Sequence, residues 1–345
     1  MTPVLQELSL VAYRGIAGLV LEDLTPISLV VGDNNTGKSS ILEAAALALR
    51  PTDPGQWVQV AQHRDIDLAL VDGLWAQFPG GSVLHLGDGV QESNGMELKA
   101  RIAGQERGFV ARCLASQIWS MSDKTSSVIL NVRVAIDGGV EEVMYFDKLL
   151  PAQWKRDAFV RAFTVTPATH RSTRRLIELL SRIVDEGKKQ LAIHLLQIFD
   201  PAVEDLQVSS SQGREAIRVT HKGRGVVDLS SFGDGMRRSA ALALSLTKAA
   251  PGVLLIDEIE AGIHHTVLPH VLSRLFEAAA HSKVQILATT HSLEAVDASI
   301  AAAEELGAGE TLSAYYLKRA GGQPAVRRYD QDKVRRLREG GLDIR

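Results

Sequence analysis

The chain has 345 residues, of which 45% are hydrophobic and 23% charged, and its formal net charge is −3. That is an ordinary globular composition with room for one large α/β body and an insertion. The near-neutral balance excludes a chain that grips nucleic acid through overall charge and leaves only local basic patches for that purpose. The single cysteine, Cys113, excludes an internal disulfide or a cysteine-rich zinc site; it reads as a small buried apolar residue in a reducing compartment. The first residues lack the charged-then-apolar layout of a signal peptide, and no stretch approaches 18 uninterrupted apolar residues, so a cytoplasmic protein with no membrane association is expected.

In chain order, residues 4–13 alternate loosely and predict a strand, and Tyr13-Arg14-Gly15 turns the chain into a second strand over 16–24. Residues 27–31 form a continuous apolar run, the mark of a strand covered on both faces. It leads into GDNNTGKSS and then an Ala/Leu-rich helix, which Pro51 and Pro54 are read as ending. Over 55–150, alternating segments at 82–86, 97–102 and 128–136 are separated by Gly80-Gly81 and Asp137-Gly138-Gly139, which predicts antiparallel hairpins. Residues 151–200 read as helical, with apolar residues three and four apart in 174–183 and 188–199. Residues 203–228 read as two strands joined through a Ser/Gln/Gly turn. From 236 onward, helices at 236–250, 265–280 and 293–306 alternate with strands at 253–256 and 284–289. That alternation predicts a parallel sheet built of right-handed βαβ units. The tail from 311 offers two strands, 313–318 and 325–329, and a short basic helix.

Gly32-Asp33-Asn34-Asn35-Thr36-Gly37-Lys38-Ser39 fits G-x-x-x-x-G-K-[ST] in full, between an apolar strand and a helix. Such a loop wraps phosphates with consecutive backbone N–H groups, so glycines are needed where a Cβ would clash. Lys38 then reaches the β- and γ-phosphates of a nucleotide and Ser39 offers a hydroxyl to Mg²⁺; Ser40 follows in the helix whose positive end faces the anion. The strand at 253–256 ends in Asp257-Glu258: Asp257 suits a Mg²⁺ ligand, and Glu258 a group that orients or deprotonates the attacking water. The strand at 284–289 closes on Thr289-Thr290-His291, which puts His291 at the mouth of the sheet, within reach of the γ-phosphate or the water. Ser231-Phe232-Gly233-Asp234-Gly235 combines a hydroxyl, two glycines and a helix start, a second anion-binding arrangement. Since residues 32–39 already hold the phosphates, this second grip makes sense when it serves another subunit's nucleotide.

In this order the motifs resemble those of the ABC-type P-loop ATPases, and within them the RecF/SMC/OLD-like group. Tyr13-Arg14-Gly15, the GDNNTGKSSILEA stretch, Glu260-Ala261-Gly262-Ile263-His264 after the acid pair, and Gly341-Leu342-Asp343-Ile344-Arg345 at the end are similar to that group. The clear matches cover about 1–50 and 225–345. The resemblance implies an α/β P-loop ATPase head: a nucleotide-binding core at 1–50 and 225–310, an antiparallel β-rich lobe at 55–150, a helical insertion at 151–200 and C-terminal strands with a basic helix at 311–345. It further implies ATP and Mg²⁺ as cofactors, and a head-to-head homodimer in which Ser231 and Gly233 of one subunit meet the γ-phosphate held by Lys38 of the other. Arg14 then either contacts the nucleotide or is structural. Three departures stand out. Ser231-Phe232-Gly233-Asp234-Gly235 stands where the ABC signature stands in this resemblance, with Phe232 in place of a glycine. The Q-loop glutamine is unassigned between Gln59 and Gln62. No heptad run marks a coiled-coil arm, and about fifty residues after His291 are too few for the nuclease domain of OLD nucleases.

Two basic groups are candidates for DNA phosphate contact: Lys155, Arg156, Arg161, Arg171, Arg174, Arg175, Arg182, Lys188 and Lys189, and then Arg327, Arg328, Lys333, Arg335, Arg336 and Arg338. Solvated helix faces explain such runs equally well. Aromatic residues beside them (Trp154, Phe159, Phe163) are too sparse for single-strand stacking. The expected role is an ATP-driven switch in a DNA-related process of the repair or antiphage type, with a nuclease or other effector as partner. The alternative is a regulatory module whose ATP state displays a surface to a partner without touching DNA.

Overall fold

The computed structural model describes residues 2–62, 70–80, 90–120, 125–146, 159–211, 214–307, 310–320 and 323–343. The expected strand at 82–86, Trp154, Lys155, Arg156, Ile344 and Arg345 lie outside them.

The first strands are β1 (Leu5–Tyr13), β2 (Ile16–Leu21) and β3 (Ile27–Gly32), followed by helix α1 (Lys38–Leu49). Pro54 does not merely follow that helix: it opens α2 (Pro54–Ala61), where Asp53 caps the first turn by accepting from Gly55 N and proline suits the first position. Next come α3 (Leu70–Trp75) and strands β4 (Val90–Glu92), β5 (Met96–Ile102), β6 (Gln105–Ser120), β7 (Thr125–Ile136) and β8 (Glu142–Phe146). Among its described residues, the stretch expected to be helical holds a strand, β9 (Arg161–Val165), before α4 (Thr173–Asp185) and α5 (Lys189–Phe199). Five residues, with an aromatic and two β-branched side chains among them, are too short a run for helical periodicity to outweigh a place beside a core strand. Residues 203–228 give three strands rather than two: β10 (Val203–Ser211), β11 (Arg214–His221) and β12 (Gly225–Asp228). The rest is α6 (Asp234–Ala249), β13 (Gly252–Ile256), α7 (Leu268–His281), β14 (Val284–Thr290), α8 (Leu293–Glu305), β15 (Leu312–Ala320), β16 (Gln323–Asp330) and α9 (Gln331–Glu339).

Among the described residues the strands form three sheets. One runs β16-β15-β3-β14-β13-β9, parallel from β15 to β9. The C-terminal strands thus belong to the sheet that carries the phosphate loop. A second, antiparallel sheet runs β2-β1-β5-β6-β7-β8, with β4 on β6. The first two strands therefore join the β-rich lobe and not the parallel sheet. The third is a small antiparallel sheet, β10-β11-β12.

Helix α1 lies between the first two sheets, with every residue except Ser39 buried. Its Ala-rich sequence lets strands approach from both sides. The alternation along β13 shows how the layers are held. Val253 and Leu255 pack into the core shared with α1 and the antiparallel sheet, while Leu254 and Ile256 pack into the core shared with α4 to α9. A strand buried on both faces needs no polar alternation. Among the described residues, no helix is long and apolar enough to cross a membrane.

Candidate functional site

The phosphate loop leaves β3 at the C-terminal edge of the parallel sheet. Two of its glycines are dictated by geometry: a Cβ on Gly32 would lie 2.5 Å from the carbonyl oxygen of Leu317 on β15, and Gly37 has φ +105°. Thr36 Oγ1 donates to the carbonyl of Asp33 at 2.8 Å, and Lys38 Nζ donates to the carbonyls of Gly32 (2.8 Å) and Asp33 (2.7 Å). Burial pulls the Lys38 ammonium below its usual range, against the opposing pull of Asp257, Glu258, Glu260 and Asp33. Asn34, Asn35, Thr36, Gly37, Lys38, Ser39 and Ser40 all line one cavity of about 1120 Å³, together with Arg14, Asp257 and Glu258.

The acid pair meets the loop directly. Ser39 Oγ lies 3.2 and 3.1 Å from the two Asp257 carboxylate oxygens, and Thr289 Oγ1 donates to Asp257 Oδ1 at 2.6 Å. A hydroxyl and a carboxylate this close form a hard, all-oxygen pair that fits Mg²⁺. Among the described residues no cluster of three His, Cys, Asp or Glu side chains could hold a metal, so the remaining ligands would be phosphate and water oxygens. Glu258 follows with φ +49°, a left-handed conformation that its backbone N–H supports by donating to Thr289 Oγ1 at 2.9 Å. His291 stands beside it, with Nδ1 4.0 Å from Glu258 Oε1 and 3.5 Å from Glu260 Oε1.

Arg14 also has positive φ, at +51°. Its Nε pairs with Glu43 Oε2 at 3.0 Å and donates to Gln77 Oε1 at 3.1 Å. Burial pulls its value down, but Tyr13 and Glu43 outweigh it and hold the guanidinium above its ordinary value. Arg14 is thus anchored by Glu43 and Gln77 while it lines the cavity. Gln59 and Gln62 do not line the cavity.

Ser231, Phe232, Gly233, Asp234 and Gly235 do not line the cavity that holds Lys38. They form the turn before α6 and its first residues. Ser231 is exposed and its Oγ donates to the carbonyl of Asp228 at 2.6 Å. Phe232 is buried, tilted on His221 at 5.8 Å between ring centroids and covered by the Arg224 guanidinium. The departure from glycine at this position is thereby explained as an anchor that fastens the turn to the small sheet.

Three features escaped the sequence reading, and a fourth, Glu260, showed there only as part of a pattern. Phe78 and Arg319 line the cavity, brought there from α3's exit and from β15. Arg238, fully buried on α6, donates to the carbonyls of Thr166 at 3.0 Å and Glu258 at 3.3 Å. Burial lowers its value to about 10, with Glu260, Glu258 and Asp257 opposing, so it stays cationic at neutral pH. Glu260 binds Thr290 Oγ1 at 2.8 Å. Only the acid in the loop after Glu258 was visible as a pattern; the other three depend on contacts between distant segments.

Six residues of the two basic groups meet carboxylates. Arg174 meets Glu178, Lys188 meets Glu186, Lys189 meets Asp205, Arg328 meets Glu310, Arg335 meets Asp332 and Arg338 meets Asp297.

Comparison with known proteins places these features. Residues 27–297 match the family model described as "AAA domain, putative AbiEii toxin, Type IV TA system". An uncharacterized protein of Methanocaldococcus jannaschii is 32% identical over 115 residues, which span 33% of this chain and 99% of that protein. Among solved structures, an Smc head bound to the C-winged helix domain of ScpA superposes with a TM-score of 0.51 at 13% identity, covering 96% of this chain and 99% of that one. At that identity the likeness is one of fold, that of an ABC-type P-loop ATPase head.

Proposed function

We propose a function from the premise that this chain belongs to that AAA-domain family and has the fold of an ABC-type ATPase head: it binds ATP with Mg²⁺ and hydrolyses it at a site completed by a second copy of itself. The observation that carries this reading is the convergence of Lys38, Ser39, Asp257 and Glu258 on one cavity, with Ser39 Oγ 3.1 Å from the Asp257 carboxylate. Lys38 and the loop N–H groups would hold the β- and γ-phosphates. Ser39 and Asp257 would hold Mg²⁺, whose charge stabilises the transferring phosphoryl group. Glu258 would orient the water and take up its proton, and His291 would stand on the γ-phosphate side.

The homodimer is supported by the signature segment. Gly233 and Gly235 have no neighbouring atom within 4 Å of where a Cβ would stand. Packing within this chain therefore does not demand glycine at either position, whereas close approach of a partner's phosphate would. The experiment is light scattering on the Glu258→Gln variant with and without ATP-Mg²⁺, alongside phosphate release by the wild type. Removing the base spares ATP binding, so a shift from monomer to dimer is expected. A variant that binds ATP yet stays monomeric would refute the composite site, and a wild type without turnover would refute the ATPase.

For the use of this cycle, a switch working on DNA or with a nuclease remains one reading. The pairing of Arg174, Lys188, Lys189, Arg328, Arg335 and Arg338 with carboxylates favours the second: a regulatory module that shows a partner-binding surface in its ATP state. The toxin–antitoxin wording of the family description suits an effector partner. Affinity for duplex DNA that falls steeply with salt would decide for the first reading.

A further inference from the structure

The loop that follows Glu258 carries a carboxylate whose placement the hydrolytic scheme leaves unused. Glu260 has one oxygen, Oε1, engaged by three groups of a single segment: Thr290 Oγ1 donates at 2.8 Å, the backbone N–H of His291 donates at 3.3 Å, and His291 Nδ1 lies at 3.5 Å. Its other oxygen, Oε2, is buried without a hydrogen-bond partner. The side chain is half-buried, and it is Oε1 alone that meets the turn after β14. The buried guanidinium of Arg238 feels this carboxylate more than those of Glu258 and Asp257. Arg238 in turn holds the carbonyl of Glu258.

We infer that Glu260 is a positioning residue for His291: it fixes the orientation of the imidazole and keeps a proton on Nδ1, so that Nε2 is the nitrogen presented to the γ-phosphate or the attacking water. At 3.5 Å the carboxylate is within ion-pair range of Nδ1, where an N–H facing Oε1 is favoured over a ring lone pair facing it. The backbone contact to His291 N and the hydroxyl contact to Thr290 fix where the ring starts from, so the whole turn after β14 is registered on one oxygen. Glu258 Oε1, at 4.0 Å, lies on the same side of the ring. Nδ1 is therefore flanked by two carboxylates, and among the described residues no hydrogen bond engages the ring's opposite nitrogen. Glu260 does not line the cavity that holds Lys38 and Glu258; it acts through His291.

This inference rests on the ATPase reading above, and its test separates the two. Steady-state phosphate release from ATP-Mg²⁺ is measured for the full chain, for Glu260→Ala, Glu260→Gln and His291→Ala, and for the double Glu260→Ala/His291→Ala variant. Glu260→Ala should lower kcat by roughly 10- to 100-fold with KM little changed. Glu260→Gln should retain most of the activity, since an amide oxygen accepts the same three contacts. The double variant should be no slower than His291→Ala alone, because a residue acting through His291 has nothing left to act on. A Glu260→Ala kcat within twofold of wild type, or a double variant slower than His291→Ala by the full Glu260→Ala factor, overturns the assignment while the ATPase stands. Absence of turnover in the wild type removes the parent reading itself. A second measurement needs no variant to fold. Long-range ¹H–¹⁵N correlation of the wild type should show His291 as the Nδ1–H tautomer, and an Nε2–H tautomer would overturn the inference.

Discussion

Arg238 Nη2 donates to the backbone carbonyl of Glu258 at 3.3 Å, so the helix that begins at Asp234 grips the peptide that carries the proposed catalytic acid. The same guanidinium donates through Nη1 to Thr166 at the end of β9. One buried cation thus joins α6, β9 and the end of β13. It also offsets part of the strain of Glu258, which stands at φ +49°.

Replacing Arg238 by Met should therefore lower stability by about 3 kcal/mol, since two charge-assisted hydrogen bonds disappear and the carboxylates of Glu258 and Glu260 lose their buried counter-charge. Arg238→Lys should recover little of this, because one ammonium on a flexible stem does not span two carbonyls as a planar fork does. Urea denaturation followed by circular dichroism checks both. Equal midpoints for wild type and Arg238→Met would show that the clamp is not structural.

His170 should make stability pH-dependent. It is fully buried on the short turn between β9 and α4, both ring nitrogens lack hydrogen-bond partners, and its ring packs on Gly262, where a Cβ would fall 2.7 Å away. Burial first, and then the nearby charge of Arg238, hold its imidazolium below the ordinary value of about 6.5. The sign follows from proton counting. Above about 6.5 the ring is neutral in both folded and unfolded chains. Below it the unfolded chain takes up a proton that the folded one refuses, so stability falls as pH drops from about 6.5 toward the depressed folded value, by up to about 1.4 kcal/mol per pH unit. His170→Phe should flatten that part of the profile. Parallel slopes for wild type and variant between pH 7.5 and 5.5 would remove His170 from the account.

Cys113 should behave as a hydrocarbon. It lies within β6, fully buried, and burial pushes its thiol up to about 12. Because the thiolate is the reactive form, a disulfide reagent should label it only after unfolding. The labelling rate under native conditions then measures opening of the antiparallel sheet, and rapid native labelling would contradict its burial.

What could be read from the chain alone follows from what is local. Residues 32–39 are contiguous, so the phosphate loop is written as a pattern. Asp257 and Glu258 announce themselves because β13 is apolar throughout, its side chains divided between two cores. The strand Arg161–Val165 was hidden inside a stretch with helical neighbours, because its identity comes from pairing with Gly252–Ile256, ninety residues away. The same holds for Arg238 on Glu258 and Glu260 on His291. Each contact joins segments that only the closed sheet brings together, and no spacing rule encodes it. Phe232 was legible as a departure, but its reason, the ring of His221 and the guanidinium of Arg224, lay in the small sheet.

Two glycines of the proposed nucleotide machinery should respond in opposite ways to the same added methyl group. At Gly32 the new Cβ would stand 2.5 Å from the carbonyl oxygen of Leu317, a backbone atom of the neighbouring strand that has no side-chain freedom with which to retreat. Gly32→Ala should therefore destabilise the chain by about 1–3 kcal/mol and weaken ATP binding with it, since the loop is displaced from β15. At Gly233 the backbone has φ −63° and ψ 165°, which any residue adopts, and no atom lies within 4 Å of the new Cβ. Gly233→Ala should leave stability within about 0.5 kcal/mol of wild type, and ATP affinity unchanged, because nothing within the chain is touched. Its effect should emerge only where a second copy approaches: placed on the Glu258→Gln background, Gly233→Ala should weaken the ATP-dependent dimer seen by light scattering. If that dimer forms as readily with the added methyl group as without it, no phosphate comes close to this turn, and the open space at Gly233 belongs to ordinary surface. If it is lost while the melting temperature and ATP affinity hold, the methyl group has been excluded by something the single chain does not contain.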